Sequence, residues 1–179
     1  MSPSCGEMPQ SDGEVNSEGI ILMRRSDREI TSEPEIIEVI EKCDVCRLAF
    51  SDNNVPYIVP MNFGYDYTDG KLSLYFHGAS EGKKHDIMSR NPIACFEMDC
   101  SHKLIEADEA SNYSMEYESV IGNGNIHLCN DKSEKIHALK QLMKQYAKSK
   151  EFTFPDHVLE SVTVFKLEVI EFTGKRLKS

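Results

Sequence analysis

The run Tyr75-Phe-His-Gly-Ala-Ser-Glu-Gly-Lys-Lys84 joins an alternating strand, two glycines, a helix start and adjacent lysines. These are the parts of an anion site. Small residues at a strand end let backbone amides approach a phosphate, the first turn of a following helix adds N–H groups without intrahelical partners, and lysine supplies the counter-charge. The chemistry favoured is capture of a phosphorylated cofactor. Three residues, not four, lie between Gly78 and Gly82, and Lys83 is followed by Lys84 instead of Ser or Thr, so the run is not a nucleotide-triphosphate loop. A plain turn with a solvated lysine pair is the competing reading.

His77 closes the strand that feeds this run. A period of two sends it to the face opposite Leu74 and Phe76, beside the cradle, where an imidazole can orient a substrate or move a proton near neutrality. The alternative is a hydrogen-bonding histidine with no chemistry. Cys43-Asp-Val-Cys46 has the spacing of a zinc or redox pair, yet no second ligand pair of suitable spacing accompanies it. It also closes a helix instead of opening one, which removes the dipole that lowers a redox thiol's pKa. No metal site is expected, and the six scattered cysteines read as reduced thiols.

The 179 residues, 40% of them hydrophobic, suit one domain with a single core. Twenty basic against 30 acidic side chains give a formal charge of −10, which repels nucleic-acid phosphates and anionic lipid. No apolar run approaches the roughly 20 residues that cross a bilayer, and no basic segment followed by an apolar one opens the chain. The expectation is a soluble, cytoplasmic protein with a small-molecule substrate and neither nucleic acid nor membrane as partner.

Residues 1–23 are polar and acidic, with almost no apolar clustering, and read as a flexible tail. A domain over residues 24–175 follows, then a short tail over 176–179. Ser32-Glu-Pro-Glu35 has the spacing of a capping box before a helix ending near Cys43. Val45 to Phe50 and Tyr57 to Tyr65 read as a hairpin, and Leu72, Leu74 and Phe76 mark a third strand. A helix is expected from about Glu81 to Arg90, stopped by Asn91-Pro92, and a strand from Ile93 to Asp99. Met115, Tyr117, Ser119 and Ile121 alternate along a long strand interrupted at Gly122-Asn-Gly-Asn125, where a bulge or sharp coil is expected. Asp131 starts a helix whose stripe is Ile136, Leu139, Leu142, Met143 and Tyr146, and Ser161–Thr173 supplies the last strand. About six β segments with three or four helices argue a mainly β fold: a small antiparallel barrel with appended helices, not a doubly wound sheet.

The order Cys46-Arg-Leu-Ala-Phe50, Val55-Pro-Tyr-Ile-Val-Pro-Met-Asn-Phe-Gly-Tyr65, Leu74-Tyr-Phe-His-Gly-Ala79, Gly82-Lys83 and Tyr117-Glu-Ser-Val-Ile-Gly122 resembles the nitroimidazole-resistance proteins. These belong to the pyridoxamine-5′-phosphate-oxidase-like flavin proteins. The resemblance implies a split β-barrel of antiparallel Greek-key type that forms a homodimer and binds FMN at the subunit interface. It implies Val59, Pro60, Met61 and Asn62 along the isoalloxazine, and His77 next to flavin and substrate. Gly78, Ala79, Gly82, Lys83 and Lys84 would hold the phosphate, and Tyr117, Ser119 and Val120 would border the cofactor from the long strand, across the dimer. FAD replaces FMN if the pocket is open beyond the phosphate. The implied activity is an FMN-dependent reduction of small electron-poor compounds such as 5-nitroimidazoles. Two alternatives use the same barrel: flavin storage or sensing without turnover, and haem binding through an axial histidine.

Overall fold

The structure is a computed structural model that describes residues 25–148 and 150–178, so the tail expected over residues 1–23 lies outside the described residues. Its elements run β1 (Glu29–Ile30), α1 (Glu33–Lys42), β2 (Cys46–Asp52), β3 (Val55–Met61), β4 (Gly64–Thr68), β5 (Lys71–Gly78), α2 (Lys83–Arg90), β6 (Ile93–Ile105), β7 (Ser114–Leu128), α3 (Lys132–Tyr146), α4 (Asp156–Ser161) and β8 (Thr163–Leu177). Every strand pairing is antiparallel, in the order β3-β2-β6-β7-β8-β5-β4, with β1 also on β8. The two ends of that path, β3 and β4, are joined by only Asn62 and Phe63. So short a link forces the sheet to curl back on itself, while the path has no β3–β4 pairing. The result is a split antiparallel barrel, and the chain's last strand closes it between β7 and β5.

The single strand expected from Tyr57 to Tyr65 is therefore two. Alternation continues across the break, but Phe63 is fully buried and Gly64 meets the helix that packs over the split. A Cβ on Gly64 would stand 2.3 Å from the backbone of Gln141 and Leu142, so only glycine permits that approach. The hydroxyl of Tyr146 accepts from the Phe63 N–H at 3.0 Å and donates to the Asp44 carbonyl at 2.9 Å, which pins the crossing.

Three strands run longer than their sequence suggests. β6 continues past Asp99 to Ile105 through a register shift between Cys100 and Lys103, where Ser101 has φ +60°. β8 runs through Leu177, so Arg176 and Leu177 belong to the sheet and not to a tail; Arg176 bonds Glu118 at 2.6 Å. β7 is continuous through Gly122 and Gly124, and the irregularity expected there is a register shift against β8 that leaves Ile170 out of the pairing. A Cβ at Gly122 or Gly124 would stand 2.5 or 2.1 Å from a carbonyl oxygen of β8.

On β7 the inward face is Glu118, Val120, Gly122, Gly124 and Ile126, whereas Met115 and Ile121 are exposed. The barrel interior is filled by Leu48, Leu74, Phe76, Phe96, Met98, Val120, Phe165 and Leu167, capped by Val39 and Ile40 of α1. A second cluster, with Ala138, Leu139, Leu142, Leu159 and Val164 over Tyr75, glues α3 and α4 to the outside. Of the expected α3 stripe Leu139 and Leu142 are buried, Ala138 joins them, and Tyr146, partly exposed, turns its hydroxyl to the β3–β4 link. Asp131 caps α3 by accepting from the Ser133 and Glu134 N–H groups, worth about 1 kcal/mol. Ser32 occupies the same position before α1 without a side-chain bond. No helix among the described residues is long and apolar enough to cross a membrane.

Candidate functional site

β5 delivers its last residues to the mouth of the split. Leu72, Leu74 and Phe76 point into the barrel and His77 points out, exposed, opposite Val164 of β8. After Gly78 the chain turns through Ala79, Ser80 and Glu81 to Gly82, whose φ of +113° is open to glycine and strained for other residues. Gly82 is the N-cap of α2, so the helix begins two residues later than its sequence suggests. Lys83 and Lys84 occupy its first turn, where backbone N–H groups have no intrahelical acceptor.

The two lysines differ in surroundings. Lys83 lies over the Tyr57 ring at 4.7 Å and pairs with Asp52 at 3.2 Å, a carboxylate that also takes Arg90 at 3.2 Å. Lys84 turns inward. Its Nζ is 3.7 Å from Met61 Sδ and 5.6 Å from the Phe165 ring, and a Cβ at Gly78 would stand 2.7 Å from it. Burial lowers the Lys84 pKa, and no ion pair to a carboxylate accompanies it among the described residues. Gly78, Gly82, Lys84 and Met61 thus converge on one corner, and Lys83 flanks it.

Val59 and Met61 are half-buried, whereas Pro60 and Asn62 are exposed. β3 pairs only with β2, so it presents a free backbone edge at this corner. Tyr117, Ser119 and Val120 lie on β7. Gly78 pairs with Thr163 at the start of β8, and Tyr117, Ser119 and Val120 pair with Leu177, Lys175 and Gly174 near its end; the other way round the barrel, Ile121 beside Val120 shares one register line with Glu97, Arg47 and Pro60. Val120 is also fully buried in the barrel, leaving its side chain no route to a ligand. Tyr117 itself lies under Arg28, whose guanidinium carbon is 6.0 Å from its ring centroid.

Two groupings escaped the sequence reading. Glu118, 1% exposed, is held by Arg176 at 2.6 Å, Lys42 and Ser101 at 2.9 Å and Lys178 at 3.2 Å. Burial would raise its carboxyl, but these hydrogen bonds outweigh it and hold the pKa at about 2. Tyr75 donates to Asp66 at 3.0 Å, and His137 of α3 reaches the same carboxylate. Burial and then Asp66 push the Tyr75 hydroxyl well up. A charge at an inward position of β7 was the available signal for the first grouping; nothing local marks the second. Among the described residues no group of three His, Cys, Asp or Glu could hold a metal ion.

A split antiparallel barrel with glycines and lysines gathered where β5 meets α2 is the architecture, and known proteins share its fold. The sequence profile described as pyridoxamine 5′-phosphate oxidase matches residues 32–176. The structure of a candidate 5-nitroimidazole antibiotic resistance protein from Bacteroides thetaiotaomicron is similar at 34% identity, covering 82% of this chain and 85% of that one, with a TM-score of 0.73. The flavocytochrome Anf3 of Azotobacter vinelandii shares the fold at 18% identity over 93% of this chain and 77% of that one, TM-score 0.74. An FAD and heme binding protein from Mycobacterium smegmatis shares it at 15% identity, 85% and 74% coverage and TM-score 0.73. Among curated proteins none matches. The chain belongs to the pyridoxamine 5′-phosphate oxidase family, and its resemblance to nitroimidazole-resistance proteins is borne out by the Bacteroides structure.

Proposed function

We propose that this chain is a homodimeric, FMN-binding oxidoreductase that reduces small electron-poor compounds, 5-nitroimidazoles among them. The Lys84 ammonium carries the reading. Half-buried and without a carboxylate partner among the described residues, it lies against the bare backbone of Gly78 at the first turn of α2. Removing a cation from water without a counter-ion is costly, and a phosphate on Gly78, Gly82 and Lys84 offsets that cost while accepting N–H groups of the helix. Lys83 reinforces the field from its pair with Asp52.

FMN, when bound, supplies electron transfer between a reduced donor such as a reduced nicotinamide and an electron-poor acceptor. The free edge of β3 from Val59 to Asn62 offers backbone groups to the ring system, with Pro60 contributing only its carbonyl. Met61 adds a polarisable contact on the side facing Lys84. His77, exposed at the end of β5, orients the substrate or holds a proton for it.

The homodimer is supported by the outer face of the sheet. Ile58 and Ile93 are each 60% exposed and Ile121 49%, and pairing registers set Ile58, Ala49 and Cys95 side by side on that face. A second copy covering this face removes that apolar surface from water. The family likeness to the Bacteroides protein favours nitroimidazoles as the acceptor class. Anaerobic stopped-flow mixing of the flavin-loaded protein with reduced nicotinamide and then a 5-nitroimidazole tests the activity. His77→Ala should keep the flavin and lose turnover; full turnover in that variant removes His77 from the mechanism, and no reduction in the native protein leaves flavin storage or sensing.

A further inference from the structure

A pair of thiols from two different elements meets where the end of α1 crosses β6, away from the cradle. Cys43, which ends α1, is buried and donates to the Val39 carbonyl at 3.3 Å; Cys100 of β6 is half-buried, with its Sγ 4.0 Å from that same oxygen. The Cys43 thiol is pushed well up by burial first and by the adjoining Cys100 second. Ser101 Oγ lies 3.6 Å from the Cys100 sulfur, and Glu118 Oε2 lies 4.0 Å from it. Cys100 is paired with Glu118, and the ladder is interrupted immediately after it, at Ser101 with its positive φ. Of the other described cysteines, Cys46 and Cys129 are buried elsewhere, and Cys95 is exposed on the outer face.

We propose that Cys43 and Cys100 form an oxidisable dithiol site that hydrogen peroxide converts to a disulfide. The sulfur of the half-buried Cys100 attacks one peroxide oxygen: an S–O bond forms, the O–O bond breaks, and hydroxide leaves as water with the thiol proton. Cys43 sulfur then displaces the remaining oxygen from the Cys100 sulfenic acid: the S–S bond forms, the S–O bond breaks, and hydroxide takes the Cys43 proton as a second water. Two thiols give up two electrons, and one peroxide accepts them. The raised pKa of Cys43 slows its attack, but its position beside Cys100 makes the step intramolecular. The link ties α1 to β6 next to the Glu118 cluster and stands independently of flavin binding.

The test treats the reduced full chain with hydrogen peroxide, alkylates it with N-ethylmaleimide under denaturing conditions and maps the peptides. Expected are a Cys43–Cys100 cross-linked peptide, reversal by dithiothreitol, and a melting temperature raised by roughly 5–10 °C through closure of a long loop. Cys100→Ser, at a half-buried position, should leave Cys43 labelled after peroxide, and Cys95→Ser should change nothing. The proposal is overturned if both thiols of the native chain remain alkylatable. It is equally overturned if Cys100 passes to sulfinic acid while Cys43 keeps its label, or if Cys43 is found joined only to another chain.

Discussion

The Lys84 ammonium rests against Gly78 so closely that a Cβ on residue 78 would stand 2.7 Å from Nζ. The glycine makes the space and the lysine fills it, joining the end of β5 to the start of α2. Gly78→Ala therefore displaces the tip of a flexible side chain and not backbone. It should fold normally yet bind FMN about 10-fold more weakly, and Lys84→Met should lose about 10–100-fold, the range for one charge-assisted contact. Lys83→Met should lose less, since Asp52 already holds that ammonium. Fluorescence titration of the flavin-free proteins measures all three; a larger loss for Lys83 than for Lys84 would reverse the assignment.

Binding should depend on pH from both sides. Burial lowers the Lys84 pKa in the free protein, so the charged form needed by an anion is lost earlier on the alkaline side than for a solvated lysine. On the acid side a phosphate monoester gains a proton as pH falls through about 6. FMN affinity should peak between these limits, and Lys84→Met should keep only the acid limb. A titration with no alkaline limb in the native protein would count against Lys84.

The corner formed by Gly78, Gly82 and Lys84 was legible because its parts are local: glycines, a helix start and lysines within one short run. The inward face of β5 was equally legible from Leu72, Leu74 and Phe76. β7 shows where period two stops being enough. Its outward residues include Met115 and Ile121, while its inward ones include Glu118, Gly122 and Gly124, so apolarity alone favours the wrong face. Four polar partners make the buried Glu118 tolerable, and β8 and Phe96 require the glycines. Neither fact is local. The break at Asn62 and Phe63 depends on α3 backbone far along the chain, and the place of β7 relative to the cradle depends on the pairing of β6, β2 and β3.

Glu118 should make stability depend on acid. Its folded pKa of about 2 lies below the ordinary carboxylate value of 4.5, so its contribution is complete above about pH 5 and is lost as pH falls towards 2. Because Lys42 and Lys178 reach solvent, the contribution is on the order of 2 kcal/mol and not the full shift. Urea unfolding should show Glu118→Gln less stable at pH 7 with a flatter acid limb. An unchanged acid limb would assign the loss to other carboxylates.

Ile58 and Ile121 should behave as interface residues. A charge at either faces solvent in the monomer, where both side chains are exposed, and would stand opposite a second copy in the proposed dimer. Ile58→Glu with Ile121→Lys should give folded monomer by sedimentation, with FMN retained far less well. A dimer surviving both changes would place the interface elsewhere.

Riboflavin offers the same ring system as FMN without the phosphate, which makes the pair the most direct probe of the central claim. Titrated into the flavin-free protein, FMN should bind at least about 100-fold more tightly than riboflavin, and Lys84→Met should shrink that ratio by about 10-fold or more. Equal affinities for the two in the native chain would mean that no phosphate is held between Gly78 and Lys84.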